Sequence, residues 1–359
     1  MVDSSSLHCV VCGSPVTPDN SLWTAPGLRT EWPSLMCAGC GRRYPVCSGV
    51  PVMFVEEASV RRVVDAERVS STVNELSSRM AEASELAGDD LNALRQGDPH
   101  EDSLTWEFYF WEHWKQQDEG VVCFDLDKID RFLEQDREGG GRLAFLERVE
   151  KYAGGIDGKI MLNVGAGRDL LLERVLQRGC AVVEVDVVLE PLVRLRERGA
   201  HLCVCCDARR LPFSSGAFDC CTSFGSLHHI WPIEGALSEM MRTTNGHVHL
   251  NEPNSLALTR LALHLPPALR SRLKRWYSEG HSRSPYEAPI HPKAVRRAVR
   301  ESGGRVVSLT FPRSSWVSES AAGLRKLVRY VNMAAVAMLP VTSSHFDAVI
   351  RSSSVASSN

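Results

Sequence analysis

The sequence predicts an α/β protein with a small metal-stapled unit in front of it. Three observations carry this. Residues 160–176 run from an apolar strand, Ile160-Met161-Leu162-Asn163-Val164, through the turn Gly165-Ala166-Gly167 into a stretch with helical spacing. Further apolar strands follow at 181–186 and 217–224, with turn or helix signals between them. Two Cys-x-x-Cys pairs, Cys9/Cys12 and Cys37/Cys40, lie near the N-terminus with 24 residues between them.

A strand–glycine turn–helix unit offers backbone N–H groups and a helix N-terminus to a ligand, and glycine lets a ligand approach the backbone closely. The turn alone fits a tight connection in any α/β protein equally well. The next strand, Ala181-Val182-Val183-Glu184-Val185-Asp186, ends in an acid 21 positions after Gly165. That spacing suits a carboxylate that accepts from both ribose hydroxyls of a nucleoside. A third unit, Cys205-Cys206-Asp207-Ala208-Arg209-Arg210-Leu211-Pro212-Phe213, places a second acid in a loop. The fourth strand, 217–224, runs into Gly225-Ser226-Leu227-His228-His229-Ile230. A dinucleotide fingerprint would need Gly where Leu170 sits.

In this order the motifs over about residues 160–255 resemble a class I S-adenosylmethionine-dependent methyltransferase of the type 11 group. The resemblance implies a Rossmann-like, seven-stranded methyltransferase sheet with helices on both faces and an antiparallel seventh strand. It also implies S-adenosyl-L-methionine as cofactor. Gly165, Ala166 and Gly167 would pass under the methionine part, with Asn163 at the head of the motif. Asp186 would take the ribose and Val187 pack on the adenine. Asp207 would accept from the adenine amino group, with the Ala208 N–H nearby. Ser223 and Phe224 would line the methyl-donor side. Two positions depart from the usual pattern: Asn163 stands where the family has Asp, and Asp169 where it has a third Gly.

The 359 residues accommodate one large α/β domain and a small accessory unit. A formal net charge of −3 argues against a polyanion binder. Residues 260–305 are nonetheless basic, which fits either a solvated helix face or contact with an anionic substrate. The start of the chain is polar and no stretch is long and apolar enough to span a bilayer, so a cytoplasmic location is expected. Most of the 12 cysteines are then reduced, and those in the core strands read as buried small hydrophobes.

Residues 1–55 form the expected first unit. Each Cys-x-x-Cys pair supplies two thiolates to one tetrahedral zinc ion, giving a closed structural site of Cys9, Cys12, Cys37 and Cys40. So short a segment needs a staple to fold. Cys47 and His8 read as bystanders. The run from Cys40 through Met53 resembles the small zinc-ribbon family whose free-standing members act as activating partners of methyltransferases.

Residues 56–155 read as a helical linker carrying an aromatic segment, with Trp106, Phe108, Tyr109, Phe110, Trp111 and Trp114 close together. This segment either packs on the core as an amphipathic helix or closes over the acceptor pocket as a lid, with Glu107, Glu112 and His113 alongside. Residues 156–352 form the methyltransferase domain, with helical insertions near 255–300 and 317–340. The loop after the fourth strand would face the acceptor, so His228 and His229 are candidate general bases, as is Glu252 in Asn251-Glu252-Pro253-Asn254. The plainer reading is that one of the two histidines packs and the other only shapes the pocket.

The functional expectation is methyl transfer to a small-molecule acceptor: a metabolite, glycan or natural-product intermediate. An rRNA or tRNA methyltransferase is the nearer alternative, against which stand the charge and the lack of Asn-Pro-Pro-aromatic after the fourth strand. A weakly catalytic module recruiting a partner through the ribbon is the other.

Overall fold

Short β-rich segments and longer strand–helix repeats assemble, in a computed structural model, into one mixed sheet covered by helices. The structure describes residues 6–24, 30–64, 107, 129–130, 133–134, 141–257, 289–312 and 336–352. Four strands come first: β1 (Val16–Trp23), β2 (Trp32–Cys37), β3 (Arg43–Cys47) and β4 (Val50–Met53), followed by α1 (Glu57–Val64). The second part opens with α2 (Arg142–Ala153). It continues as β5 (Ile160–Val164), α3 (Leu172–Leu176), β6 (Ala181–Asp186), α4 (Leu189–Glu197), β7 (Leu202–Cys206), β8 (Phe218–Phe224), α5 (Ile233–Thr243) and β9 (Thr244–Pro253). After residues outside the described set come α6 (Pro292–Glu301), β10 (Gly304–Thr310) and β11 (His345–Ser352).

Strands β5 to β9 pair parallel. Their runs of Val, Leu and Cys are buried on both faces, as a sheet with helices on each side requires. One core cluster joins α5 and α6 to one face; the other joins α1 to α4 to the opposite face. Five cysteines of β7 and β8 are buried thiols, and burial pushes Cys220 up to about 12. Strand β11 is antiparallel to both β9 and β10, as expected for the last strand.

The order across the sheet is β1-β2-β3-β4-β7-β6-β5-β8-β9-β11-β10. From β5 the chain winds outward to β6 and β7, then returns to pair β8 on the other side of β5. That reversal makes a crevice at the carboxyl ends of β5 and β8, where open α/β sheets bind ligands.

The sequence predicts a separate ribbon beside a seven-stranded sheet. Among the described residues the two instead form one sheet of eleven strands. Strand β4 adds parallel to β7 through Val52↔Cys205 and Met53↔Cys206. Without it β7 would be an open apolar edge, which proteins cover or charge. The shared core explains the union: Leu7, Tyr44 and Met53 pack in one cluster with Val204 and Phe213. His8, expected as a bystander to the metal, ties the parts together, its ring bonding Gly13 O and Ser214 Oγ at 2.8 Å each.

One further expectation needs adjustment. Helical spacing from 170 yields a helix only over Leu172–Leu176, because Asp169 Oδ1 accepts the Leu171 N–H in a tight turn just before it. Strand β9 runs over Thr244–Pro253 and carries Glu252 near its carboxyl end. Residues 258–288 and 313–335, where insertions are expected, lie outside the described residues, as does the aromatic segment apart from Glu107. Among the described residues no helix is long and apolar enough to cross a membrane.

Candidate active site

The turn after β5 is shaped by what lies against it. Gly165 has φ +70°, and a Cβ there would sit 2.3 Å from Ser226 Cβ, so only glycine fits. Ser226 Oγ donates to Val164 O at 2.9 Å, which seats the loop after β8 directly on the turn. The turn N–H groups, expected to face a ligand, point inward instead. Gly165 and Ala166 both donate to Val185 O, and Gly167 donates to Asp186 Oδ2 at 2.8 Å. The turn satisfies itself on the end of β6, and this keeps it rigid. It leaves side chains, not these amides, to hold a ligand.

Asp186 is half-buried at the tip of β6, and its second oxygen accepts from Val188 N at 2.9 Å. Burial pushes its carboxyl up to about 6, opposed by these N–H bonds and supported by the charge of Glu107. Val187 and Phe224 are half-buried, and Ala166, Ala208 and Ser223 are buried. Arg142 lies over the Phe224 ring, 4.6 Å from its centre. Asp207, expected to meet the adenine, gives both oxygens to Arg209, whose Nη2 is 2.8 Å from Oδ2.

Both departures from the usual motif fall into one buried polar cluster under the turn. Register places Asn163 beside Glu184 on one side and Thr222 on the other. Asn163 Nδ2 donates to Glu184 Oε2 at 2.9 Å, and Thr222 Oγ1 donates to Asn163 Oδ1 at 3.1 Å. Glu184 is fully buried and bonded to Asp169; burial first, and the facing carboxylate second, hold its carboxyl well above the usual range. Burial raises Asp169 as well. Two carboxyls in one buried site share a proton. Arg198 clamps the rim, donating to Arg168 O at 2.7 Å and Asp169 O at 2.9 Å while forking onto Glu173. The signal for this cluster was an acid, Glu184, inside an otherwise apolar strand. Arg198, at the end of a helix, gave none.

The three base candidates converge at the exit of β8. Glu252 is fully buried and accepts the N–H groups of Ser226, Leu227 and His228 as well as bonding His228 Nδ1 at 2.9 Å. It therefore builds the loop. His228 is buried against it, and the ring of His229 lies 4.2 Å from that of His228. His229 Nδ1 lies 3.1 Å from Glu107 Oε1, so one residue of the segment before the sheet reaches this site.

Away from the crevice, the sulfurs of Cys9, Cys12, Cys37 and Cys40 all lie within 4.8 Å of one another. Cys9–Cys40 and Cys12–Cys37 are 3.7 Å and 3.4 Å apart. A tetrahedral zinc ion with bonds of about 2.3 Å asks for about 3.8 Å between sulfurs. Cys37 Sγ accepts the N–H groups of Gly39 and Cys40, and Cys9 Sγ lies 3.0 Å from the buried Tyr44 hydroxyl. Donors aimed at sulfur favour thiolates, so the set suits the metal. Cys47 lies outside the cluster.

With this geometry in view, residues 162–249 match the family described as a methyltransferase domain. Over 124 residues the chain is 30% identical to demethylmenaquinone methyltransferase of Thermobifida fusca (strain YX), covering 33% of this chain. The chain spans about half, 51%, of that relative's length. The family match falls on the strand–helix part of the chain, and both similarities are to methyltransferases. Among solved structures, it aligns with a putative sarcosine dimethylglycine methyltransferase from Galdieria sulphuraria at 12% identity and TM-score 0.43, covering 70% of this chain and 98% of that one. The magnesium protoporphyrin IX methyltransferase from Synechocystis PCC 6803 with bound SAH aligns at 12% identity and TM-score 0.42, covering 68% and 94%. Alignments at that level say nothing of activity or substrate.

Proposed function

We propose that the chain transfers a methyl group from S-adenosyl-L-methionine to a small-molecule acceptor, and that residues 1–55 hold a structural zinc ion. The observation that carries this reading is Asp186, fixed at the tip of β6 beside a glycine turn that opens on the sheet's reversal point. When bound, the cofactor supplies an electrophilic methyl group on a sulfonium sulfur.

The residues would do the rest by holding and orienting. Asp186 takes the ribose hydroxyls, and Val187 and Ala208 flank the adenine. Asp207 serves the adenine only by sharing its carboxylate with Arg209. Asn163 keeps the turn in register through Glu184, while Gly165, Ala166, Gly167, Ser223 and Phe224 shape the floor toward the donor methyl. Most of the rate comes from positioning. His229 is the base in this reading. Glu252, occupied by three backbone amides, and His228, buried on it, position the loop. Residues 156–352 would form the catalytic domain and residues 56–155 the linker and lid. The curated relative is named for demethylmenaquinone, so a hydroxylated aromatic is the first acceptor class to test.

The experiment is methyl transfer from labelled cofactor to a dihydroxynaphthalene and to a panel of phenols and amines. Label in any small-molecule product supports the reading. Binding of cofactor with label found only in RNA would favour a nucleic-acid acceptor.

A further inference from the structure

We infer that Glu107 is a positioning residue for His229, holding the Nδ1–H of that ring so that Nε2 receives the acceptor's proton. This rests on the methyltransferase reading and deepens it, because it brings the segment before the sheet into the chemistry.

The contact joins residues 122 positions apart, with side-chain exposures of 12% for His229 and 21% for Glu107. Glu107 also stands near enough to Asp186 for its charge to be felt there. One carboxylate thus bonds the loop after β8 and is felt electrostatically by the acid at the tip of β6. A carboxylate on Nδ1 fixes the tautomer and stabilises the imidazolium that forms when Nε2 takes a proton. The neighbouring pair, His228 and Glu252, is built alike but has 6% and 0% exposure. His228 is therefore the ring that anchors the loop, and His229 the ring at the rim.

Among the described residues, the charged and titratable groups facing His229 include Glu107 from the preceding segment, His228 on its own loop and Glu252 of β9 behind His228, with the charge of Glu107 felt also by Asp186 of β6. In the proposed step the acceptor's bond to hydrogen breaks and its electron pair forms the bond to the methyl carbon. The carbon–sulfur pair stays on sulfur. The proton goes to His229 Nε2, while Nδ1–H remains on Glu107.

The test uses the full zinc-loaded chain, wild type, Glu107→Ala and Glu107→Gln. With a dihydroxynaphthalene as acceptor, Glu107→Ala should lower kcat by about tenfold to a hundredfold while KM and adenosylhomocysteine affinity stay within about threefold. Glu107→Gln, whose amide oxygen still accepts Nδ1–H, should lose less kcat. Unchanged kcat, or kcat, affinity and melting temperature falling together, overturns the inference. Isotope-labelled histidine read by NMR without cofactor decides independently of turnover. The wild-type ring should carry Nδ1–H, and Glu107→Ala should raise the Nε2–H form several-fold. A tautomer indifferent to Glu107→Ala overturns the pairing. A wild-type chain that binds no adenosylhomocysteine overturns the methyltransferase reading instead, and the base role with it.

Discussion

Asn163 and Asp169 show what a residue-level reading does and does not reach. Both departures from the usual motif were visible in the sequence. Their reconciliation was not, because Glu184 meets Asn163 across two strands and Asp169 across a turn. The neutral amide at 163 donates to an acid whose carboxyl is held by burial above its usual range. This has a pH signature. Glu184 is raised well above 4.5 by burial, so the native state keeps a proton that the unfolded chain gives up. The stability from that site is complete below the unfolded value and is lost as pH rises toward the folded one. Glu184→Gln keeps an acceptor for Asn163 and gives Asp169 a donor. Its melting temperature should exceed the wild type's at neutral pH, with the gap widening from acidic to alkaline conditions; a gap independent of pH would contradict the shared proton. Asp186 titrates at about 6, so cofactor affinity should fall as pH drops through about 6, when its carboxylate is lost. Asp186→Asn should weaken binding by about tenfold or more, since a charge-assisted bond contributes about 1.5–3 kcal/mol. Calorimetry across pH checks both.

At the scale of elements, the period and punctuation of the sequence located β5, β6 and β8. It misjudged the turn after β5, because spacing cannot say which way an amide points. The hydrogen bonds to Val185 O and Asp186 turn these amides inward. Nor can it say that Glu252 is consumed by the loop it holds. The clustering of Cys9, Cys12, Cys37 and Cys40 was legible outright, since two Cys-x-x-Cys pairs at that spacing bring four sulfurs together. Cys37→Ser removes one thiolate and the acceptor of two amide bonds. Elemental analysis should find zinc in the wild type and none in this variant, whose first strands should unfold. Tyr44→Phe should retain zinc but release it faster to a chelator, because only the hydroxyl donor to Cys9 is lost. Equal release rates would show that the hydroxyl contributes nothing to holding the metal.

At the scale of the molecule, the sequence separates a ribbon from an α/β unit, and the structure joins them through β4 on β7. That pairing was hidden because Val50–Met53 is short and carries no partner code; which edge it takes depends on the completed sheet. Removing residues 1–55 should expose the β7 edge and part of the shared core, giving association on a sizing column and a lower melting temperature. A monomer of unchanged stability would mean the ribbon is only tethered. The central claim is that the crevice where the sheet reverses binds S-adenosylmethionine. Calorimetric titration of the folded, zinc-loaded chain with adenosylhomocysteine tests it most directly. The account expects saturable binding at one site per chain that Asp186→Asn weakens; absence of binding at millimolar ligand, with the fold intact, would contradict it.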